Sequence, residues 1–258
     1  DAHWRAVSTS ADPHIQAKAE LMTAMVPDGV RTIVDVGCGD GALTHRFAER
    51  WEVTAVDHSS VALERLRCKT VQASADALTL PDHSADLLLS SEMLEHLPAE
   101  VLTGAAKEFD RVAKDWLMLA VPYMENLRRR FGRCSGCGGE FNVYEHLHSF
   151  DAERLEALFP DFERVRIEIC GPAEQRTFPQ LERLRQRWAL HWWMGPSIKT
   201  RCPGCGLEDP VPPRRWPWHK LLELSINMAT GIGNLALGRK TQPYWLVLLL
   251  RRRVTDDG

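Results

Sequence analysis

The chain has 258 residues, 44% of them hydrophobic, and a formal net charge of −3. This size suits one large domain, or one domain that carries insertions, and the apolar fraction is sufficient for a buried core. The charge argues against a protein that is basic throughout and binds nucleic acid, and no apolar run is long enough to span a bilayer.

The N-terminus and the cysteines bear on the cellular compartment. Residues 1–20 lack the basic flank and the apolar region of a secretory signal, although a chain that starts at Asp1 leaves room for a trimmed leader. Seven cysteines without an export signal indicate reduced thiols or metal ligands rather than disulfides. We therefore expect a cytoplasmic protein.

The first predicted strand ends in a glycine-rich turn. Residues 1–28 are predicted to form an N-terminal helical segment, with an amphipathic helix from His14 to Val26. Ile33–Val36 then has the composition of a short buried strand, Gly37–Gly41 has the pattern Gly-x-Gly-x-Gly, and Ala42–Arg50 is helix-like. Glycines let the backbone approach a ligand closely and adopt torsions that a Cβ forbids.

The next two predicted strands each end in an acid. Val53–Asp57 is a second buried strand, and its terminal carboxylate suits a bidentate hold on ribose hydroxyls. Val71–Ala77 is a third, and Asp76 near its end suits the amino group of an adenine. A helix cap at Asp57, and a loop aspartate at Asp76 that bonds its own backbone, are the structural alternatives.

Four further strands complete the predicted sheet. They are Ala85–Ser91, Asp115–Val121, Arg164–Gly171 and Pro243–Leu250, the last expected to be antiparallel. The earlier strands alternate with helical or turn segments, which indicates a mostly parallel α/β sheet. Ligands of such sheets bind at the carboxyl ends of the strands, where the glycines and acids fall.

The spacing Asp-x-Gly-x-Gly-x-Gly differs from the dinucleotide fingerprint Gly-x-Gly-x-x-Gly and resembles motif I of the class I S-adenosylmethionine (SAM)-dependent methyltransferases. The resemblance covers roughly residues 29–122 and returns at the C-terminus. It implies a Rossmann-like, seven-stranded α/β fold, the cofactor SAM, and a cofactor pocket that the N-terminal helix closes. The residues expected to hold SAM are Asp35, Gly37, Cys38, Gly39, Gly41, Asp57, His58, Asp76, Ala77 and Ser91. For Asp35 a purely structural turn cap is the alternative, and Cys38 is expected to fill the turn rather than act as a nucleophile.

Two near-identical cysteine motifs predict a metal site. Arg-Cys-x-Gly-Cys-Gly occurs with Cys134 and Cys137, and again with Cys202 and Cys205. Each Cys-x-x-Cys-Gly has the form of a zinc knuckle, and two knuckles supply the four thiolates of a closed structural Zn²⁺ site. Independent pairs, a redox pair and a catalytic metal are the alternatives.

The knuckles lie in two insertions that interrupt the predicted methyltransferase core. The core is predicted to comprise 29–122, 150–171 and 243–253, and the insertions 123–149 and 172–242 are predicted to form a zinc-braced lid above the cofactor. In the second insertion, Leu181, Leu184, Trp188 and Trp192 follow a helical spacing that predicts a buried face. Leu221–Leu237 is predicted as a packed helix that Gly231 and Gly233 weaken, with contact to lipid as the alternative. Trp4 is a further candidate for substrate contact.

Two groups of histidines are candidates for the catalytic base, since histidine titrates near neutral pH. The string Glu92-Met93-Leu94-Glu95-His96-Leu97-Pro98 resembles that of ubiquinone-biosynthesis O-methyltransferases, whose glutamates and histidine are associated with a divalent cation. This resemblance makes His96 a candidate for the catalytic base and Mg²⁺ a possible cofactor, although a less favoured one than Zn²⁺. The favoured role of this string is structural, in packing or capping the helix that follows. His146 and His148 lie where the chain returns from the first insertion to the core, and either could be the catalytic base; the sequence does not distinguish between them. The alternatives are that they form hydrogen bonds within the lid or bind zinc.

The favoured function is methyl transfer from SAM to a small molecule, most of all at a hydroxyl of a secondary metabolite, glycan precursor or quinone. A nucleic-acid partner is not favoured. Three alternatives stay open: an RNA methyltransferase that clamps RNA with the zinc module, a non-catalytic SAM-binding interaction protein, and, least favoured, a nicotinamide oxidoreductase. The oligomeric state is undetermined by the sequence.

Overall fold

The computed structural model describes residues 12–192, 200–211, 214–238 and 241–254. Trp4, proposed above as a substrate contact, lies outside these residues. The chain divides into two compact units. The first unit comprises Asp1–Tyr123, Phe150–Pro172 and Pro243–Gly258, and the second comprises Met124–Ser149 and Ala173–Gln242.

The strands and helices are numbered along the chain. The strands are β1 (Thr32–Val36), β2 (Glu52–Asp57), β3 (Lys69–Gln72), β4 (Ala85–Ser91), β5 (Ala113–Pro122), β6 (Phe131–Arg133), β7 (Glu140–Asn142), β8 (Phe162–Gln175) and β9 (Thr241–Arg252). The α-helices are α1 (Pro13–Met25), α2 (Thr44–Ala48), α3 (Ser60–Leu63), α4 (Ala99–Val112), α5 (Ala152–Glu156), α6 (Pro179–Trp188) and α7 (Pro217–Ala236). Short 3₁₀ helices cover Leu94–His96 and Leu127–Arg130.

The first unit is built on a seven-stranded sheet of order β3-β2-β1-β4-β5-β9-β8. Strands β1 to β5 pair in parallel, and β9 pairs antiparallel with β5. The central strands are apolar almost throughout because both faces of a parallel sheet are covered. One hydrophobic cluster contains Phe109 of α4 and Phe159, and the other contains Met22 of α1 and Phe47 of α2. This confirms the predicted Rossmann-like seven-stranded α/β fold.

The third strand is shorter than the sequence suggested. It ends at Gln72, so Asp76 lies four residues beyond it rather than at its tip. The hydroxyl of Ser74 donates to the carboxylate of Asp76, and the amide of Ala77 donates to the carbonyl of Ser74 at 3.0 Å. These local hydrogen bonds compete with continued strand pairing and turn the chain instead.

Two expectations about the second insertion are wrong. Helix α7 runs unbroken from Pro217 to Ala236, and a Cβ on Gly233 would lie 2.8 Å from the ring of Phe178, so this glycine allows close packing rather than interrupting the helix. Leu184 and Trp188 of α6 are 45% and 55% exposed, whereas Trp192, four residues beyond the end of the helix, is buried as expected.

The buried side chains of α6 are polar. Gln186 donates to the carbonyl of Arg128, and Glu182 lies 3.4 Å from the guanidinium of Arg185. These polar contacts fix the rotation of the helix and leave its apolar positions outside. Among the described residues, no helix combines the length and apolarity needed to cross a bilayer.

Candidate functional site

The glycine turn follows β1 at the carboxyl edge of the sheet. Gly37, Gly39 and Gly41 have φ of +76°, +54° and +80°, in the left-handed region that favours glycine. A Cβ on Gly37 would lie 2.5 Å from Cγ of Met93, so the turn also requires the absence of a side chain. The turn therefore has the backbone form that the sequence predicted for a close approach to a ligand.

Asp57 joins the ends of β1 and β2. Its Oδ2 accepts from the amide of Gly39 at 3.0 Å, and its Oδ1 accepts from the amide of Ser59 at 2.8 Å. The carboxylate is buried, and His58 beside it is exposed with Nδ1 at 3.3 Å from Oδ1. Each carboxylate oxygen retains a second lone pair, so Asp57 braces the turn and keeps acceptor capacity for a hydroxyl.

Asp35 lies inside the sheet beneath the turn. Its side chain is 2% exposed, and Oδ2 accepts from the hydroxyl of Thr44 at 2.6 Å. Burial raises the pKa of Asp35 to about 6, the Thr44 hydrogen bond opposes this shift, and the charge of Asp57 adds to it. Burial, with the charges of Asp35 and Asp57, raises the pKa of the Cys38 thiol as well, so Cys38 is a neutral turn residue at physiological pH.

Asp76 and Ala77 are exposed residues of the loop after β3. The loop packs closely on α4, because a Cβ on Gly104 would lie 2.7 Å from Cβ of Asp76. Ala73 donates to the carbonyl of Asp57 at 3.1 Å, which holds the start of this loop beside the end of β2. The predicted ribose and adenine residues thus follow neighbouring strands at one edge of the sheet.

The sequence did not predict that a lysine of α1, Lys18, is buried beside the carboxyl end of β4. Lys18 of α1 donates to Oγ of Ser91 at 3.2 Å, lies 3.6 Å from Oε1 of Glu92, and stacks 4.2 Å from the ring centre of Trp245. The indole of Trp245 donates to Oε2 of Glu92 at 2.8 Å. The cluster joins α1 and β9 to the carboxyl end of β4. No motif marks Lys18, and a single lysine in a helix is ordinarily a solvent-exposed residue.

His96 lies in the 3₁₀ helix after β4 and is partly exposed. Its Nε2 is 3.9 Å from Oε1 of Glu95, whose side chain is fully buried. The two residues belong to the first unit.

His146 lies in the second unit and forms a buried pair with a glutamate that sequence reasoning missed. Its Nδ1 is 2.5 Å from Oε2 of Glu125, and both side chains are buried. Arg130 lies 3.6 Å from the other oxygen of Glu125, forms an ion pair with Glu174, and stacks over the ring of Tyr144 at 4.6 Å. His148, two residues later, is partly exposed. Glu125 belongs to no motif, and only its place just after β5 would have marked it.

The four predicted metal ligands form one cluster within the second unit. Sγ of Cys134 is 3.5 Å from that of Cys205, Sγ of Cys137 is 3.6 Å from that of Cys202, and all four lie within 4.8 Å of one another. Thiolates on a tetrahedral Zn²⁺ with bonds of about 2.3 Å lie roughly 3.8 Å apart. The cluster therefore has the dimensions of a Cys₄ metal site.

The two knuckles also share their backbone structure. Gly138 donates to the carbonyl of Cys134 at 2.9 Å, and Gly206 donates to that of Cys202 at 2.8 Å. The preceding arginine of each knuckle donates from Nε to the carbonyl of that glycine, at 3.4 and 3.3 Å. Hydrogen bonds from the amides of Cys137 and Gly136 lower the pKa of the Cys134 thiol to about 6, while the hydrogen bonds of Cys205 to Cys134 and Cys137 raise the pKa of the Cys205 thiol to about 12.

Comparisons with known proteins agree with this description of the first unit. A family model described as a methyltransferase domain matches residues 33–115. An uncharacterized methyltransferase of Mycobacterium bovis is 40% identical over 85 residues, covering 30% of the chain and 43% of that protein. A trans-aconitate 2-methyltransferase of Enterobacter is 32% identical over 88 residues, covering 31% of the chain and 34% of that protein. The chain thus spans less than half the length of these curated relatives.

A crystal structure of a SAM-dependent methyltransferase from Archaeoglobus fulgidus is similar in fold. The TM-score is 0.55 at 15% identity, and the match covers 92% of this chain and 94% of that one. Residues 33–115 thus match a methyltransferase domain, and the fold is similar to that of a SAM-dependent methyltransferase, as the resemblance of motif I implied.

Proposed function

We propose that this protein transfers a methyl group from SAM to a hydroxyl oxygen of a small molecule. The buried Glu125–His146 pair is the observation that carries the choice of a hydroxyl, because a hydroxyl must lose a proton as it is methylated. The small-molecule acceptor is supported by the relative named for trans-aconitate, which acts on a small organic acid.

The residues at the carboxyl edge of the sheet fit SAM as a cofactor. The glycine turn offers backbone close to a ligand, Asp57 has acceptor capacity for ribose hydroxyls, and Asp76 suits an adenine amino group. Lys18, beside Ser91, is a cation suited to the carboxylate of the methionine part. SAM supplies an electrophilic methyl on its sulfonium, so the protein has to position the acceptor and accept its proton.

His146 is the proposed base and Glu125 the residue that positions it. A carboxylate on Nδ1 holds the imidazole in one orientation and favours the tautomer with its proton on Nδ1, in which Nε2 carries the basic lone pair. The carboxylate also stabilises the imidazolium that forms when Nε2 takes the proton. This arrangement favours His146 over His148.

The four cysteines are proposed to hold a structural Zn²⁺. The equivalent knuckles and the sulfur separations support the assignment. All four ligand positions are filled by protein thiolates, which leaves no open position for a substrate and makes the role structural.

The experiment that tests the proposed function uses SAM labelled in its methyl group. Purified protein is incubated with host extract, which is then separated into metabolite, RNA and protein pools. Label in a metabolite, with the added methyl located on oxygen by mass spectrometry, is the expected result. Label confined to RNA or protein would contradict the proposed acceptor, and label on nitrogen or carbon would contradict the hydroxyl.

A further inference from the structure

Helix α7 turns its apolar face to the outside of the second unit. Five large apolar side chains, spaced three or four residues apart along one stripe, are each 58 to 67% exposed. We call them the apolar stripe: Leu221, Leu224, Met228, Ile232 and Leu235. The stripe extends over most of a 20-residue helix, which is about 30 Å long. A contiguous apolar surface of this length marks a binding surface rather than ordinary scattered exposure.

The opposite face of α7 is polar and is held by contacts within the unit. Asn234 donates to the carbonyl of Arg176 at 2.8 Å, and Glu223 forms ion pairs with His191 and Arg215. His219 accepts from the amide of Trp216 at 2.8 Å. Rotating the helix to bury the stripe would break these contacts, so the outward position of the stripe is built into the fold.

Aromatic and basic side chains gather at the N-terminal end of the stripe. Trp188, Trp216 and Trp218 are each 55% exposed. Arg187 lies over the ring of Trp188 at 5.8 Å, and Arg214 lies over that of Trp216 at 5.1 Å. Arg215 donates to the carbonyl of Ala189 at 3.0 Å, which joins the end of α6 to the start of α7. Tryptophan and basic residues together are typical of the boundary between lipid headgroups and acyl chains.

Charge distinguishes between the partners that this surface fits. The second unit contains 15 Lys and Arg and eight Asp and Glu residues, a formal charge of +7, in a chain whose total is −3. Two copies of so basic a unit repel each other face to face, whereas an anionic surface attracts them. Lys220, next to the stripe, is exposed as well.

We propose that the apolar stripe of α7 docks this protein on an anionic lipid surface. The helix lies in the plane of the interface, with the stripe in the outer acyl region and the basic residues at the anionic headgroups. Binding therefore has an apolar part, set by the stripe, and an electrostatic part that salt screens.

The test is co-sedimentation of the full chain with phosphatidylcholine vesicles, with and without phosphatidylglycerol. We expect the protein to sediment with the anionic vesicles, with an apparent affinity at least tenfold higher than for phosphatidylcholine alone, and to be partly released by salt. The double variant Leu224→Glu/Met228→Glu should lose at least tenfold of this binding. Both side chains are exposed, so the fold should persist, and a milder Leu224→Ser/Met228→Ser variant provides a second measurement.

Val165→Glu is the matched control, because Val165 is an apolar residue of β8 that is 53% exposed in a strand outside the surface. It should bind vesicles as the wild type does. Wild-type protein that stays in solution with anionic vesicles would overturn the proposal. Folded stripe variants that bind vesicles as well as the wild type would also overturn it. Sedimentation velocity without lipid tests the remaining outcome, since a dimer held together by the stripe would contradict docking on lipid.

Discussion

Asp35 is a carboxyl group in the apolar interior of the sheet, and its ionisation affects the stability of the fold. Its pKa is raised from 3.8 to about 6 mainly by burial. The native state therefore binds the proton more tightly than the unfolded chain, and stability falls as the pH rises through the interval from 3.8 to about 6. The full cost of the buried charge is present above that interval.

We predict that Asp35→Asn flattens this pH dependence. A shift of about 2 pKa units corresponds to at most about 3 kcal/mol of unfolding free energy, and the variant should recover much of it at neutral pH. The amide oxygen still accepts from Thr44, so the hydrogen bond is retained. Urea unfolding across this pH range measures the effect. A variant whose pH profile parallels that of the wild type would contradict the prediction.

The proposed base makes a second prediction at the scale of single residues. His146→Ala should lower kcat by roughly 10² to 10⁴, the usual contribution of a general base. Glu125→Gln should lower kcat less, by about tenfold, and shift the pH–rate profile with little change in KM, because it disturbs only the orientation and basicity of the imidazole. The pH profile separates this positioning role from a structural one.

His148→Ala is the matched control for this prediction, because His148 belongs to the same segment and is partly exposed. It should retain most of the activity. If His148→Ala and His146→Ala lose activity equally, or if Glu125→Gln leaves the pH profile unchanged, the assignment of the base to His146 is wrong.

At the scale of elements, the two knuckles form one cluster although 64 residues lie between Cys137 and Cys202. We predict that Cys134→Ser lowers bound zinc and the midpoint of thermal unfolding together, since Zn²⁺ that binds only the folded chain stabilises it. Metal content by plasma mass spectrometry and calorimetry on the same sample measure both quantities. Cys68→Ser is the control, since Cys68 lies in the first unit. Full zinc retention by Cys134→Ser would refute the shared site.

Sequence predicted most of the sheet because the central strands are continuous apolar runs bounded by turn residues. The end of β3 was misplaced because the Ser74–Asp76 hydrogen bond stops the strand, and strand propensity contains no information about that contact. The sequence predicted helices at α6 and α7 but not which face of each helix is buried. The spacing of apolar residues defines an apolar face, but it does not say whether that face lies inside or outside. The polar contacts of Gln186 and Asn234 decide that orientation.

The geometry of the candidate site was predictable where a motif repeats a local backbone structure. The glycine turn and the cysteine knuckles are local, and their backbone torsions and sulfur separations have the expected form. Lys18 and Glu125 were not predictable, because each gains its role from a partner distant in sequence: Ser91 is 73 residues from Lys18, and His146 is 21 residues from Glu125.

At the scale of the whole molecule, the two units differ in formal charge. The first unit contains 17 basic and 27 acidic residues and the second 15 and eight, so their formal charges are −10 and +7. The first unit contains the methyltransferase fold, and the second contains the cysteine cluster, the Glu125–His146 pair and the apolar stripe. The proposed methyl transfer depends on SAM binding by the glycine turn and Asp57 of the first unit.

Titration calorimetry with SAM tests this claim most directly. The wild type should bind one SAM per chain, and Asp57→Asn should weaken binding at least tenfold, about 1.4 kcal/mol. The asparagine oxygen can still accept from the amide of Gly39, whereas its amide nitrogen cannot accept from Ser59, so the variant removes the charge and one of the two hydrogen bonds. Failure of the wild type to bind SAM, or equal affinity in a folded Asp57→Asn variant, would contradict the account.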